Sequence, residues 1–538
     1  MIRFPFSNDF ITLEPYKLTH MKNLFCLAFL FISLYQLNSQ NNKPIITGLK
    51  VIHDAAAKTI TLNYDLSDAE SDSIHVIVQQ SVDGEKFINV SSSGDVWFPV
   101  FSGTNKSAIW EYPEGTDLSK IILKIIAYDN HVPDLTEMIS KVSPDSLRAN
   151  LEAIVGVRHY QADPEKLEEV ENYIRSKMGQ AGLIMRKNEF LYNNTFFNNI
   201  IGQQNGIYND NLCLINGHFD SADDAPGADD NGTGVVGVLE AMRVMKGYFF
   251  ENNIQFTNFN LEELGLIGSQ KYVNSGLIGG ENIVGLINYE MIGYYSDAPN
   301  SQSIPNGFEL LFPAAVTQII NNQNRGDFII NCGNAASTSL NNTFFQAAAQ
   351  YVPELKVVNL VVPGNGQIAG DLRRSDHAPF WDKGHKALMI TDGAETRNAN
   401  YHTPNDVIST INFDFLSKVT AAGIATLATI AKPLNASFLI TDLATLSSNN
   451  SINNLNLNFE IFPNPVNETL FFTLNETSKN TSLKATITDS MGKILLTKNV
   501  QTNKEKQELN IKSIVPGVYF LNLSDGHTSQ SKRFIVKK

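Results

Sequence analysis

Short runs of alternating apolar and polar residues fill the chain from about residue 43 to residue 140. KTITLNYDL, IHVIVQQSVDG and KIILKIIAYD alternate with a period of two and are separated by turn residues. This alternation, with a turn every ten or so residues, is typical of strands that are buried on one face. The pattern predicts a small β-sandwich, similar to a fibronectin type III or immunoglobulin-like module, over residues 43–140.

The rhythm changes between residues 145 and 435, where helical stretches alternate with apolar strands. TGVVGVLEAMRVMKGY has the spacing of a helix, whereas NLCLING and KALMITDG are apolar runs of strand length. Strands alternating with longer helices predict a layered α/β domain with a largely parallel sheet. Ligand sites of such sheets lie beyond the carboxyl ends of the strands, so candidate chemistry is sought there.

The carboxyl-terminal part again has the pattern of strands. Residues 446–458 are rich in asparagine and serine and predict a linker. After it, runs such as FEIFPNPVNETLFF predict a second β-sandwich over residues 459–538.

The amino-terminal segment, residues 1–40, predicts an extension followed by a secretory signal peptide. MKNLFCLAFLFISLYQLNSQ, from Met21, has a basic start, an apolar run that is short for a membrane span, and a small-residue end. We expect no transmembrane segment in the mature chain. Two cysteines then remain, Cys213 and Cys332, too few for a disulfide framework. A buried structural thiol at Cys213 and a single pairing of the two stay open at this point.

The net charge of the chain restricts the kinds of molecule that it is expected to bind. The chain of 538 residues carries a formal net charge of -14, from 55 acidic and 41 basic residues. A nucleic-acid partner calls for a basic surface, so none is expected.

The stretch GHFDSADDAPGADDNGTG crowds one histidine and five acidic residues between two apolar runs. NLCLINGHFDS predicts a buried strand that delivers His218 and Asp220 at its carboxyl end, both on the same face. GADDNGTG places Asp229 and Asp230 just before a helix. Crowded carboxylates repel one another, so the cluster favours a bound cation.

Other predicted strands are also followed by acidic residues or histidine. Glu262 and Glu263 follow NIQFTNF, Glu290 follows NIVGLINY, and His402 follows KALMITDG in a loop. Each acid alone is more often a solvated loop residue, but together with the histidines they form a ligand set of nitrogen and oxygen donors that suits zinc. The adjacent pair Glu262–Glu263 requires a local bend, which Gly265 permits.

A family resemblance rests on six motifs in this order and spacing. The central domain resembles the two-zinc exopeptidases of the aminopeptidase Y, leucyl aminopeptidase and glutamate carboxypeptidase group, including the run LEAIVGVRHY before its first helix. The family fold is a three-layer αβα sandwich with a mixed twisted sheet. The motifs are GHFDS, GADDNGTG, LEELGLIGSQ, NYEMIG, RRSDHAPFW and YHTPND.

The resemblance implies a role for each position. Two zinc ions per chain would be bridged by Asp230, with Glu263 and His402 completing one site and His218 and Glu290 the other. Glu262 would act as general base on a zinc-bridging water. Asp220 and Asp406 would support the ligands, and the peptide bond between Asp230 and Asn231 would be cis.

The surroundings of the substrate are less defined by the resemblance. Some relatives place a tyrosine oxyanion donor where this chain has Leu372, so the group in that role stays open. The candidate residues of the substrate pocket are Arg373, Arg374, Asp376, His377 and Arg397.

The carboxyl-terminal module also has a resemblance. FEIFPNPVNETLFF, DSMGK, PGVYFLNL and SKRFIVKK are similar to a type IX secretion sorting domain of the A class. That resemblance implies passage through an outer membrane by the type IX machinery and a secreted or cell-surface location.

The sequence therefore predicts a secreted zinc exopeptidase, an aminopeptidase before a carboxypeptidase or dipeptidase, acting on peptides. A glutaminyl cyclase on the same fold is a weaker alternative, because such relatives use one zinc and lack GADDN. The alternative from another class is a metal-free, receptor-like binding module, against which the complete ligand set argues.

Overall fold

The structure is a computed structural model of the whole chain. It describes residues 41–84, 87–207, 211–277, 281–446, 459–474, 483–489, 493–500, 506–524 and 529–537. The predicted signal peptide within residues 1–40, and all of the predicted linker 446–458 except residue 446, lie outside the described residues.

Ten helices occur in the described residues. They are α1 (Thr136–Ile139), α2 (Pro144–Ile154), α3 (Pro164–Gln180), α4 (Gly234–Met245), α5 (Ile267–Lys271), α6 (Phe308–Leu311), α7 (Pro313–Asn321), α8 (Thr338–Tyr351), α9 (His377–Asp382) and α10 (Phe413–Ala431).

The strands of the amino-terminal module are followed by those of the central domain and of the carboxyl-terminal module. They are β1 (Ile45–Asp54), β2 (Thr59–Ser67), β3 (Ile74–Ser81), β4 (Ile88–Asn89), β5 (Ser92–Gly94), β6 (Trp97–Val100), β7 (Gly103–Glu111), β8 (Ile122–Asp129), β9 (Ile184–Tyr192), β10 (Thr195–Gln204), β11 (Asn211–His218), β12 (Phe249–Phe250), β13 (Asn253–Phe259), β14 (Asn282–Tyr289), β15 (Phe328–Asn334), β16 (Lys356–Val362), β17 (Ala387–Thr391), β18 (Pro433–Leu434), β19 (Ala436–Asp442), β20 (Phe459–Phe462), β21 (Thr469–Leu474), β22 (Leu483–Asp489), β23 (Ile494–Val500), β24 (Lys506–Asn510), β25 (Gly517–Ser524) and β26 (Ser529–Val536).

Two sheets form the amino-terminal module. One has the order β1-β2-β7-β5 and the other the order β19-β8-β3-β4, with β6 paired to β3. Alternate residues of β2 are buried, as the period-two pattern predicts. The strand β19 comes from beyond the central domain, pairs antiparallel with β8, and is followed by Leu443, which is fully buried in the core of this module. The chain therefore returns to its first module after the α/β region.

The central sheet has eight strands in the order β16-β15-β17-β14-β11-β13-β10-β9. β11 lies parallel to both β13 and β14, and β14 lies parallel to β17. β9, β10 and the β15–β17 pair introduce antiparallel neighbours, so the sheet is mixed. Four adjacent parallel strands thus point their carboxyl ends to one edge.

Apolar residues cover both faces of this sheet. On β11, Cys213 and Ile215 belong to a core cluster with helices α4 and α10, whereas Leu212 and Leu214 belong to a cluster with α7 and α9. A strand whose successive side chains are all apolar is buried on both faces. The two cysteines of the described chain, Cys213 and Cys332, are free and buried in opposite clusters.

Local signals explain where the helices that flank the site begin. Asp163 accepts a hydrogen bond from the Lys166 N–H and is followed by Pro164 at the first position of α3. Asn412 caps α10 by accepting from the Phe415 N–H. Among the described residues, α10 alone is long and apolar enough to span a membrane by length and composition, and 72% of its most apolar window is buried in the protein.

The carboxyl-terminal module also contains two sheets. Their orders are β20-β21-β24 and β23-β22-β25-β26, all with antiparallel pairs. Phe459 and Phe472 lie in their common core.

Candidate metal centre

Three adjacent strands of the central sheet deliver side chains to one edge. His218 is the last residue of β11, and Glu290 directly follows β14. Glu262 and Glu263 lie shortly beyond the end of β13. Because parallel strands end at the same edge, residues far apart in sequence meet there.

Asp230 reaches this edge from the turn that precedes α4. The Asp230–Asn231 peptide bond is cis, as the resemblance predicts. Asn231 fixes the turn: its Nδ2 donates to the Tyr289 carbonyl, and its Oδ1 accepts from the backbone N–H groups of Gly234 and Met291. A side chain at Gly234 would collide with Asn231, so the close approach requires glycine.

The two oxygens of Asp230 face different histidines. Oδ1 lies 3.4 Å from His218 Nε2, and Oδ2 lies 3.0 Å from His402 Nε2. His402 Nε2 is also 3.0 Å from Glu263 Oε2, and His218 Nε2 is 3.5 Å from Glu290 Oε2. Two groups of possible ligands result, one with His218, Glu262 and Glu290 and the other with Asp230, Glu263 and His402.

Buried polar atoms without partners indicate that these groups hold an ion. His218 Nε2 and Glu263 Oε1 are buried and have no hydrogen-bond partner among the described residues. An unpaired buried polar atom is costly, and a metal ion removes that cost. The mixture of imidazole and carboxylate donors suits zinc.

Asp220 and Asp406 hold the ligand-bearing turns through backbone hydrogen bonds. Asp220 accepts from the N–H groups of Glu262 and Glu263, each at 3.1 Å. Asp406 accepts from those of Asp229, at 2.9 Å, and Asp230, at 3.0 Å. Two acids in one strand would face opposite ways, but Glu262 and Glu263 lie beyond β13 in a turn tied to Asp220. Gly265 lies in this turn with a φ of 99°.

The crowding of charge shifts the protonation of the ligands. Hydrogen bonds to Asp230 and Glu263 raise the pKa of His402 to about 10. Burial raises the pKa of Glu263 to about 7. Burial would lower the pKa of His218, but the carboxylates of Glu262 and Glu290 outweigh it, and the pKa lies well above its ordinary value. Without metal, the site therefore retains protons on its histidines.

The five candidate pocket residues do not share one location. Arg374 lines the cavity beside Glu290, where it donates to Glu395 and to the Tyr401 hydroxyl. Arg373 is turned away and donates to Asp382 and the Asn365 carbonyl.

The other three candidates are buried. Asp376 and His377 are fully buried, and burial lowers the pKa of His377 to about 4. Arg397 donates to Gln302 and to the Phe328 carbonyl and lies over the Phe328 ring. None of the three lines the cavity.

An apolar cavity opens beside the candidate metal centre. Glu290, Arg374 and Tyr401 lie at one part of its wall, and its volume is about 100 Å³. Helices α6 and α7 supply much of the remaining wall. Its apolar lining includes Phe308, Phe312, Val316, Ile319, Leu360 and Met389.

Sequence reasoning missed several residues around the site. Ser375 donates to Glu290 Oε2 at 2.6 Å, and the Tyr401 ring stacks on that of His402 with centroids 3.9 Å apart. Asp229 and Asp392 form a fully buried pair of acids. Ser375 and Tyr401 each neighbour a residue that the motifs single out, and this adjacency is the signal by which they could have been found. Asp229 lies inside the motif GADDNGTG, whereas Asp392 lies outside the six motifs and has no such signal.

Two regions of the chain match known protein families. A mixed α/β domain with histidines and carboxylates grouped at its strand ends is typical of metal-dependent proteins. Residues 199–427 match peptidase family M28, and residues 460–537 match the secretion system C-terminal sorting domain. The chain therefore contains a region similar to peptidase family M28, followed by a region similar to a secretion sorting domain. The family and the ligand chemistry both support zinc as the metal.

Individual proteins are similar to parts of the chain. The chain is 28% identical over 314 residues to the uncharacterized protein YfbL of Escherichia coli, covering 55% of this chain and 91% of that protein. It is 34% identical over 85 residues to leucine aminopeptidase 2 of Trichophyton rubrum, covering 16% of this chain and only 17% of that protein. It is similar to the solved zinc aminopeptidase of Bacillus subtilis with a TM-score of 0.34 and 25% identity, covering 45% of this chain and 52% of that one.

We predict that zinc binding releases protons and strengthens as pH rises from about 6 to about 10. His402, with a pKa of about 10, and Glu263, with a pKa of about 7, must lose their protons to bind a metal. Calorimetric titration of the zinc-free chain, in buffers with different heats of ionisation, counts these protons. More should be released at about pH 6 than at about pH 8.5, where Glu263 is already ionised. Zinc binding without proton release at the lower pH would contradict the prediction.

Proposed function

We propose that the protein is a secreted zinc-dependent exopeptidase that removes amino-terminal residues from peptides. The observation that carries the proposal is that the oxygens of Asp230 face His218 and His402 separately, with the carboxyl group of Glu262 nearby. The leucine aminopeptidases among the relatives support this activity.

Five residues would hold two zinc ions. Asp230 would bridge them, with Glu263 and His402 on one side and His218 and Glu290 on the other. Two zinc ions supply a water of lowered pKa and polarise the scissile carbonyl. The protein contributes the fixed positions of the ligands, through Asp220, Asp406 and Ser375.

Glu262 is the proposed general base. Its Oε2 lies 3.8 Å from His218 Nε2, too far for a hydrogen bond. Burial raises the pKa of Glu262 well above its ordinary value. A carboxylate with a raised pKa accepts a proton readily and passes it to the leaving amine.

The cavity supports an apolar first residue of the substrate. Its wall begins at Glu290 and continues over Phe308 and Phe312. A substrate that places its first side chain in this cavity brings its α-ammonium group close to the carboxylates of Glu262 and Glu290. These carboxylates attract a positive charge, which an amino-terminal residue carries.

The arginines argue against a carboxypeptidase. Recognition of a terminal carboxylate requires an available cation. Arg373 is paired with Asp382, Arg374 with Glu395, and Arg397 is buried with its own partners. Arg373 and Arg397 do not line the cavity, and Arg374, which does, is paired with Glu395.

Tyr401 is our candidate for the donor that stabilises the developing oxyanion. Its ring lies on that of His402, and its hydroxyl accepts from Arg374 Nη2 at 3.0 Å. Burial raises the pKa of Tyr401, so the phenol keeps the proton that it donates.

The remaining architecture completes the proposal. We propose that the central domain, residues 145–435, is a three-layer αβα sandwich, flanked by β-sandwich modules over residues 43–140 and 459–538. Helix-bearing cores on both faces of the central sheet support the layering. The first module would be a spacer, and the last would direct export through the type IX machinery to the outside of the cell or its surface.

Substitutions at Glu262 and Asp230 are expected to separate catalysis from metal binding. Glu262→Gln should keep about two zinc ions per chain and lose about 10²–10⁴-fold in kcat, because a positioned base contributes that much. Asp230→Asn should lose zinc, because one carboxylate faces both histidines. Metal content by mass spectrometry and kcat on an aminoacyl anilide measure the two effects. Full activity in Glu262→Gln would show that another group carries the proton, and one zinc per chain in the wild type would favour the cyclase.

Peptides blocked at one end are expected to reveal the direction of attack. A peptide with a leucine first residue and an amidated carboxyl end should be cleaved, whereas its amino-acetylated twin should not, because only the former has the α-ammonium group. An aspartate first residue should be cleaved poorly, since the cavity is apolar. Product analysis by mass spectrometry is the measurement, and the opposite preference would establish a carboxypeptidase.

Deletion of residues 459–538 is expected to retain the enzyme inside the cell envelope with its activity intact. The central domain is predicted to contain the whole catalytic site, so lysates should still cleave peptides. Activity in medium and lysate, compared between the full and shortened chains, measures this. Normal extracellular activity without the module would remove the sorting proposal.

A further inference from the structure

Arg158 is a buried charge that the proposed mechanism does not use. It lies in the run LEAIVGVRHY between α2 and α3, outside the residues that match the peptidase family. It is 0% exposed and is the largest of the fully buried side chains. A fully buried arginine is rare unless it is paired, so its surroundings require an explanation.

The guanidinium group donates to backbone carbonyls. Nε donates to Phe219 at 2.7 Å, Nη1 to Gly156 at 3.0 Å and to Pro226 at 2.8 Å, and Nη2 to Gly227 at 2.8 Å. The planar fork of arginine can satisfy several carbonyls at once, whereas the lysine ammonium is a compact point charge.

Three of these carbonyls, those of Phe219, Pro226 and Gly227, belong to the segment that joins two proposed metal ligands. Residues 219–227 run from His218 to the turn that carries Asp230. The backbone of Arg158 adds two ties, since its N–H donates to Ser221 Oγ at 2.8 Å and its carbonyl accepts from the Ser221 N–H at 3.1 Å. A Cβ at Gly227 would lie 2.5 Å from Arg158 Nη2, so glycine is required where the guanidinium approaches.

The positive charge of Arg158 is directed at the carboxylates of the site. Arg158 forms no ion pair within 4.0 Å in the part of the chain that the structure describes. Asp406, Asp220 and Asp230 nevertheless stabilise its charged form at longer range, against the effect of burial, which lowers its pKa. Arginine stays protonated in proteins, so the charge persists.

We propose that Arg158 is a positioning residue that holds the segment between His218 and Asp230 in the geometry that binds zinc. The inference rests on the proposed two-zinc site. Arg158 fixes the backbone of this segment through several carbonyls, and its charge offsets the repulsion among the carboxylates. Arg158 therefore acts on zinc affinity, through the backbone of residues 219–227, and does not contact the substrate.

Arg158→Lys in the full-length chain is the test. The variant replaces the planar fork of five donors with a compact amine and so removes the simultaneous contacts to several carbonyls. Zinc dissociation from the loaded protein is followed with a chromophoric chelator, next to circular dichroism and the unfolding temperature. Outer partners of metal ligands are worth about 10–100-fold in affinity, and we expect a loss of zinc affinity in that range. Zinc affinity within twofold of the wild type would overturn the inference.

A matched control separates positioning from general destabilisation. Ile174→Ala removes a fully buried side chain of α3 and is expected to lower the unfolding temperature while leaving zinc affinity unchanged. A loss of zinc affinity as large in Ile174→Ala as in Arg158→Lys would show that affinity merely follows stability, and would overturn the inference.

A milder variant keeps the test valid if Arg158→Lys does not fold. Ser221→Ala removes the hydroxyl that accepts from the Arg158 N–H and donates to the Ala225 carbonyl. At least a threefold loss of zinc affinity is expected, and no loss would count against the inference. A wild type that binds no zinc would instead contradict the proposed function.

Discussion

The burial of many carboxyl groups at one sheet edge is the constraint on which the rest of this structure depends. Ionised carboxylates are expensive to bury and repel one another. The described chain nonetheless buries eight such residues around this edge: Asp220, Asp229, Asp230, Glu262, Glu290, Asp376, Asp392 and Asp406. Backbone N–H donors, histidines and buried arginines offset part of the repulsion among these carboxylates. The negative charge that remains favours the binding of cations.

This arrangement links metal binding, catalysis and substrate recognition. Asp220 and Asp406 accept backbone hydrogen bonds and thereby place the turns of Glu262, Glu263 and Asp230. In the proposed function, the carboxylates that are left would face zinc or the α-ammonium group of a peptide. One electrostatic feature would then serve both the proposed metal ions and the proposed direction of attack, and the adjoining cavity would select the side chain.

Much of the site could be predicted because its residues follow strand ends. His218 and Glu290 end apolar runs, and their strands are neighbours in a parallel arrangement, so the sequence alone indicates that they meet. Gly265 predicts the bend at Glu262 and Glu263. Their backbone hydrogen bonds to Asp220, however, are long-range contacts that no local sequence pattern indicates. The hydrogen bonds of the Arg158 guanidinium group could not be predicted for the same reason. Their acceptors are backbone carbonyls, which every residue has, so no residue type in the sequence indicates them.

The fold shows the same limit of local patterns. The strands of the first module alternate clearly, yet nothing in β19 indicates that its partner is β8. The apolar cavity depends on α6 and α7, where Phe308 and Phe312 have the composition of ordinary core residues. Side chains that line a cavity and side chains that fill a core are chemically alike, so only their placement distinguishes them.

The return of β19 to the first module has a consequence for the order in which the protein matures. Asn435 donates to Asp129, which lies 306 residues earlier, and β19 then closes the sheet beside β8. During synthesis the first module must wait, with β8 as an open strand edge, until the whole peptidase domain has been made. Open edges invite pairing with other chains, and contacts this distant in sequence form slowly. A chain that ends prematurely within the peptidase domain would thus leave the edge of β8 unpaired. The defect would appear in the amino-terminal module, which contains none of the proposed catalytic residues.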